Sequence, residues 1–294
     1  MSSYSQRERT LNGTWMIGLS LLIGGLVIFL YQGVLWALGS DWNNDPDYSH
    51  GFLVPFLSVY FIWERWDSLI EETPDPSIWG IGLLSLGLFS LVVGFIGAEL
   101  YVQRMSLIVV LSGLVLLILG WKHLWLLSLP IGFLIFMIPL PAIVVNTIAF
   151  PLQLFAAQTA SFCLFSLGIP VLREGNLIML ASTTLEVAEA CSGLRSLLSL
   201  LALGTVYGYF SQDVMWKRWV LVILSVPIAI VANAARVSGT GILAHYFGAE
   251  AAEGFYHTFE GWLVFIVAFV LLFICGVLLG KIGSRASTIP SRHS

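Results

Sequence analysis

Apolar runs of membrane-spanning length recur along the whole chain, and they limit the fold more than any other feature. A bilayer core about 30 Å thick needs about 20 apolar residues per helix. Such runs occupy 14–38, 51–63, 78–97, 105–120, 124–141, 193–210, 219–238 and 260–280; the second reaches full length only if it extends through Trp66. They are continuous rather than alternating, which favours helices over the strands of a β-barrel. Composition agrees. The 294 residues are 58% hydrophobic and 10% charged, whereas a soluble domain carries about 25% charged residues. So few charges cannot cover a water-facing surface of this size. A soluble cytoplasmic enzyme, a disordered chain and a nucleic-acid-binding domain are excluded. The net charge of −4 offers no basic footprint, so no nucleic-acid partner is expected. The expected fold class is an all-α polytopic membrane protein with about eight transmembrane helices.

Charge placement sets the expected orientation. The first run follows a polar, basic start (MSSYSQRERTLNGTW) and lacks a small-residue cleavage site at the usual place. It reads as a first transmembrane helix rather than a removed signal peptide. Arg7 and Arg9 at one end, and Lys281, Arg285 and Arg292 at the other, place both termini in the cytoplasm. The number of crossings is then even. Eight satisfy it if the further apolar stretch 142–168, with Asn146, Thr147, Pro151, Gln153, Gln158 and Thr159, is an interfacial or re-entrant segment on the outer side. Arg104 and Arg173 fall outside, where snorkelling to water accounts for them. Three polar patches also fall outside: 41–51, 170–192 and 239–257. Within the second, the alternation around Glu174-Gly175-Asn176 predicts a short external hairpin. Residues 1–280 are expected to form a single integral membrane domain, and 281–294 a disordered cytoplasmic tail.

Ionisable residues at membrane depth are candidates for function, and they gather in the C-terminal half. Glu186, Glu189, Cys191 and Arg195 lie in VAEACSGLRSLL and just before it; Asn233 and Arg236 lie in VANAARVSGTG; His245 and His257 follow. Cys191 precedes a helix expected to begin near Ser192 or Gly193. The positive end of that helix, with Arg195 one turn along, would favour a thiolate. The other reading is a small buried hydrophobe, which suits Cys163 and Cys275 in their apolar settings. Three cysteines are an odd number and do not suggest a disulfide framework. Arg236, at the outer end of a run, either snorkels or supplies a fork of donors for an oxyanion. His257 either belongs to an aromatic belt with Phe255, Tyr256, Phe259 and Trp262 or relays protons. A thiol, an arginine and a histidine on one side of the membrane point to nucleophile, oxyanion stabiliser and acid–base. No Cys/His pair has metal-ligand spacing, and neither metal nor cofactor is expected.

These segments, VAEACSGLRSLL, NAARVSGTG and HTFEGW in that order, resemble the Cys, Arg and His motifs of the exosortase/archaeosortase family, and most closely its bacterial exosortases. DYSHGFLVPFLSVYFIW, the PLP at 139–141, PLQLFAAQTA and LGIPV extend the likeness from about residue 40 to residue 275. The resemblance implies an eight-span inner-membrane cysteine protease/transpeptidase with its active site facing the periplasm. Its partners would be membrane lipid and exported proteins ending in a PEP-CTERM-type signal, that is, a short motif, a transmembrane helix and a basic cluster. The acceptor is unspecified. It also implies that Cys191 is the nucleophile, Arg236 the catalytic arginine and His257 the catalytic histidine. Arg195, Glu189 and Asn233 are the supporting candidates. Two readings from other classes stand beside this one: a polytopic transporter, and a non-catalytic protein of exopolysaccharide export or assembly.

Overall fold

The computed structural model describes residues 2–181, 183–187 and 193–282, without the side chains of 2–17, 19, 20 and 249–263. The expected tail therefore lies, from 283 on, outside the described residues. The chain forms two compact units, Met1–Pro139 and Leu140–Ser294.

The first unit is helical. It comprises α1 (Ser2–Asn44), a 3₁₀ turn (Pro46–Phe52), α2 (Leu53–Glu64), α3 (Trp66–Glu71), α4 (Trp79–Ile96), α5 (Leu100–Ile118), α6 (Trp121–Leu126), α7 (Ser128–Phe133) and a second 3₁₀ turn (Leu134–Met137). Helices α4 and α5 pair through glycine. The buried residues of α4 are Gly80, Gly87 and Gly94, spaced by two turns. A Cβ at Gly87 would lie 2.9 Å from the backbone nitrogen of Val110, one at Gly94 2.9 Å from that of Gln103, and one at Gly80 would strike the backbone of Leu117. Gly113 returns the fit, 2.6 Å from the nitrogen of Leu84. Lipid tails are as apolar as leucine, so membrane helices associate where small residues let backbones approach. Most of the other α4 residues are apolar and exposed, among them Trp79, Ile81, Leu86, Phe89, Phe95 and Ile96, as a lipid-facing surface requires.

Several polar groups in this unit find partners. Arg104, expected from its position to snorkel, does not: its side chain is 4% exposed, and its Nη2 donates to Asp41 Oδ2 at 2.6 Å. A buried guanidinium is tolerated only when paired in this way. The Tyr31 and Ser106 hydroxyls are 2.9 Å apart. Trp42 Nε1 donates to the Met137 carbonyl at 2.8 Å, and His50 Nε2 lies 3.2 Å from that of Phe136. Beyond the C-terminal end of α5, Arg65 donates to the Leu126 carbonyl and Lys122 to Glu72, both at 2.6 Å.

The second unit contains α8 (Ala142–Ser166), β1 (Val171–Glu174), β2 (Leu177–Leu180), β3 (Thr184–Glu186), α9 (Leu194–Ser211), α10 (Met215–Phe247) and α11 (Ala249–Lys281). The hairpin expected around Glu174 is β1–β2, turning at Gly175 (φ +62°). The sequence reading missed β3, which pairs antiparallel with β2. Ile178, Leu180 and Val187 pack with Ala156, Ala157, Ala160 and Leu164 of α8 and with Val237 and Ala244 of α10. A second cluster joins α9, α10 and α11 through Leu200, Leu221, Ala229, Ala232, Ala268 and Leu272.

The fold class is all-α and polytopic. Among the described residues six helical segments are long and apolar enough to cross a membrane: Leu21–Asn44, Trp79–Ile96, Leu100–Ile118, Ala142–Ser166, Met215–Phe247 and Val264–Lys281. Three expected spans differ in form. The run at 51–63 becomes the 12-residue α2. The run at 124–141 breaks into α6, α7 and a 3₁₀ turn, with Pro130 inside α7. The run at 193–210 is one helix, α9, but it is not among the six. The stretch expected to be interfacial or re-entrant is instead one continuous helix of 25 residues. Its polar content does not break it because its hydroxyls bond back one turn: Thr147 to Ile143, Thr159 to Phe155 and Ser166 to Phe162. Its amides Asn146 and Gln153 line a groove of about 740 Å³ with Ile143, Ala149 and Phe150.

Candidate functional site

The candidate site lies in the second unit, and α10 is its frame. Asn233 and Arg236 sit on α10 less than one turn apart. Asn233 is buried, 3% exposed. Arg236 is half-buried, with its Nε and Nη2 out of reach of solvent. The hydroxyls of Ser238 and Thr240 donate to the carbonyls of Ala234 and Arg236, so they stabilise α10 itself.

Helix α9 runs against α10 through glycines. A Cβ at Gly204 would strike Ser225 Oγ, and one at Gly208 would lie 3.3 Å from the Arg218 carbonyl oxygen. The third contact bears on function. Gly193 caps α9 in the left-handed region, at φ +82°. A Cβ there would lie 2.8 Å from Asn233 Cγ and 3.0 Å from its Nδ2. Both constraints demand glycine: other residues find that φ costly, and Asn233 leaves no room. The Gly193 carbonyl accepts from Leu197 N–H at 2.9 Å and from Ser196 Oγ at 2.9 Å, completing the first turn. The helix expected to begin near Ser192 or Gly193 thus begins at Leu194, with Gly193 as its cap. Arg195, in that first turn, is exposed.

Upstream, Val187 N–H donates to the Asn176 carbonyl at 3.0 Å, and Asn176 Nδ2 donates to the Val187 carbonyl at 3.2 Å. The last described residue before Glu189 and Cys191 is thus Val187, bonded to Asn176, and the first one after them is Gly193, packed against Asn233. Glu189 and Cys191 themselves lie outside the described residues. Cys163 and Cys275 are half-buried, and Cys275 packs against the α9–α10–α11 cluster as a small hydrophobe would.

Helix α11 returns antiparallel to α10 after Gly248. Lys217, near the start of α10, donates to the carbonyl of Ile282, just past the end of α11, at 2.5 Å. In this hairpin Arg236 stands twelve residues before Gly248 and His257 nine after it. The helical rise of about 1.5 Å per residue puts their backbones within about 5 Å in height. The side chain of His257 lies outside the described residues. His245 is half-buried on α10, its ring 4.9 Å from that of Tyr246. No group of three His, Cys, Asp or Glu among the described residues could hold a metal ion.

The sequence reading named Asn233 but missed its partner, Gly193. The signal was present: a glycine directly before a predicted helix start, where Ser, Thr, Asp or Asn is the ordinary cap.

Comparison with known proteins bears on the same stretch. Neither the curated proteins nor the solved structures give a match. The family model described as transmembrane exosortase (Exosortase_EpsH) matches residues 42–274, which takes in α2 through most of α11 and every candidate site residue. The chain therefore belongs to the transmembrane exosortase family, whose members are membrane protein-sorting transpeptidases.

Proposed function

We propose that this protein is a cysteine protease/transpeptidase of the bacterial inner membrane that cleaves a PEP-CTERM-type C-terminal sorting signal at the periplasmic face. Both termini are cytoplasmic, and residues 1–280 work as one membrane domain. Cys191 attacks the carbonyl carbon of the scissile peptide bond. The C–N bond breaks, a thioester forms, and His257 gives the leaving nitrogen its proton. The departing product is the transmembrane helix with its basic cluster. An incoming amine or water then attacks the thioester and gives its proton to His257, and Cys191 leaves as thiolate. Arg236 holds the oxyanion in both steps; one such donor contributes roughly 3–4 kcal/mol in known acyl-transfer sites. Arg195, Glu189 and Asn233 support the site.

The observation that carries this reading is the fit of Gly193 against Asn233. Cys191 is two residues from Gly193, and two residues reach at most about 7 Å. The thiol's segment is thereby tied to the turn of α10 that bears Arg236. The test is processing of a protein ending in motif, helix and basic cluster. Cys191→Ala abolishes cleavage, whereas Cys191→Ser retains a small fraction at most. Undiminished cleavage by Cys191→Ala ends the reading.

A further inference from the structure

The small sheet ends in an open edge strand, β3, whose last residue stands five positions before the proposed nucleophile in the chain. The strand order is β1-β2-β3, and among the described residues no strand pairs with the far side of β3. The ladder fixes which groups point there. Leu180 N–H donates to the Thr183 carbonyl at 2.8 Å, and Val187 N–H to the Asn176 carbonyl at 3.0 Å. Leu185, opposite Ile178, is in phase with these bonded pairs. Thr184 and Glu186 occupy the alternate positions, opposite Met179 and Leu177. In an antiparallel ladder, residues at those positions turn their N–H and C=O away from the partner strand. Both residues are exposed, whereas Leu185 is half-buried toward the core. The result is a short polar edge with unused main-chain donors and acceptors. Glu186 lies five residues before Cys191.

We infer that the polypeptide substrate binds in extended form as a fourth strand on the free edge of β3, pairing with the main-chain groups of Thr184 and Glu186. The inference rests on the proposed function and names how the cleaved segment is held. Open edge strands recruit extended peptides through main-chain hydrogen bonds. An extended segment presents a peptide bond to a nucleophile, whereas a helix keeps its carbonyls in internal bonds. Pairing at Glu186 would hold the substrate at a strand that ends five residues before Cys191 in the chain. The hydrophobic helix of the signal can then stay in the bilayer while the residues just outside it are ordered on the sheet.

The test uses the full-length enzyme reconstituted in lipid. Its substrate is a synthetic peptide carrying motif, helix and basic cluster. Proline removes one N–H and is tolerated where that N–H faces outward on an edge. Glu186→Pro is expected to lower the processing rate about tenfold, the effect of roughly one main-chain hydrogen bond. Arg173→Pro makes the same change on the outward side of β1 and is expected to stay within about twofold of wild type. Equal losses at both edges, or no loss at Glu186→Pro, overturn the proposal. If Glu186→Pro fails to accumulate, the wild-type enzyme decides. Substrates N-methylated at one non-proline residue at a time near the cleaved bond should lose rate at every second position. A loss without that alternation overturns the pairing. If Cys191→Ala processes the same peptide at the wild-type rate, the proposed function falls and takes this inference with it. If Cys191→Ala is inactive and no alternation appears, only the strand pairing falls.

Discussion

The two units use their scarce polar groups differently. In the first, charges are paired off as structure: Arg104 with Asp41, Lys122 with Glu72, and Arg65 with the Leu126 carbonyl. These contacts tie together chain ends that a glycine-lined helix pair cannot reach. In the second, Asn233 packs against the cap of α9 and lies within one turn of Arg236 in the middle of α10, and α11 brings the backbone of His257 back to a similar height. Rarity of charge is common to both, so rarity alone does not separate Arg104, an ion-pair partner, from Arg236, the proposed oxyanion donor. Arg104 and Arg236 look alike in sequence, each near the end of an apolar run. What distinguishes them is the company each keeps in three dimensions.

The sharpest way to break this contrast is to exchange the two arginines for alanine. Arg236→Ala is expected to lower processing by about 10²–10³-fold, as for loss of one oxyanion donor, with the protein still accumulating in the membrane. Arg104→Ala is expected to do the reverse. It removes a charge-assisted hydrogen bond from a buried side chain, at about 2 kcal/mol, so thermal stability in detergent falls while turnover per folded molecule holds. Similar losses of turnover in both variants would erase the distinction.

A smaller effect separates two glycines of the second unit. Gly193 and Gly175 both have positive φ, +82° and +62°, but a Cβ at Gly175 meets nothing within 4 Å. Gly175→Ala should cost about 1–2 kcal/mol of backbone strain and leave turnover intact. Gly193→Ala adds the collision with Asn233, so both stability and processing should fall. Equal behaviour of the two would mean that the Gly193–Asn233 fit does not organise the site.

The smallest effect is a pH response confined to the first unit. Burial pushes His50 below its ordinary value of 6.5, against the opposing pull of Asp47 and the Phe136 carbonyl. The folded protein then holds His50 neutral where the unfolded chain would protonate it. Stability is unaffected above about pH 6.5 and declines as pH falls below it. Thermal unfolding between pH 7 and 5 should show this decline, and His50→Gln should flatten it. The Lys122–Glu72 pair is exposed, and Lys122→Ala should leave stability unchanged, as surface pairs usually do.

Much of this contrast was legible in the sequence. The apolar runs at 78–97, 105–120, 219–238 and 260–280 correspond to crossing-length helices, because continuous apolar sequence leaves the backbone no choice in lipid. The hairpin at Glu174 was legible from alternation and its turn glycine. The continuous helix within 142–168 is not legible, because amides and Pro151 read as breakers, whereas its hydroxyls bond within the helix. The run at 124–141 reads as one span in sequence, because hydropathy does not register the helix breaks around Leu127 and Leu134. For the site, residue types and order along the chain pointed to Cys191, Arg236 and His257. Gly193 against Asn233 could not be read off, since it is a contact forty residues apart in sequence. The edge of β3 was equally hidden, because openness depends on what fails to pair with it.

One measurement reaches the central claim directly: trapping the acyl-enzyme. Wild-type enzyme incubated with substrate and quenched in acid should carry the N-terminal product on a peptide containing Cys191, through a bond that hydroxylamine cleaves. The adduct should be absent from Cys191→Ala and should keep its site when Cys163 and Cys275 are replaced. An enzyme that processes substrate with no such adduct, or with one on another residue, would contradict the assignment of the chemistry to Cys191 and the Arg236-bearing turn of α10.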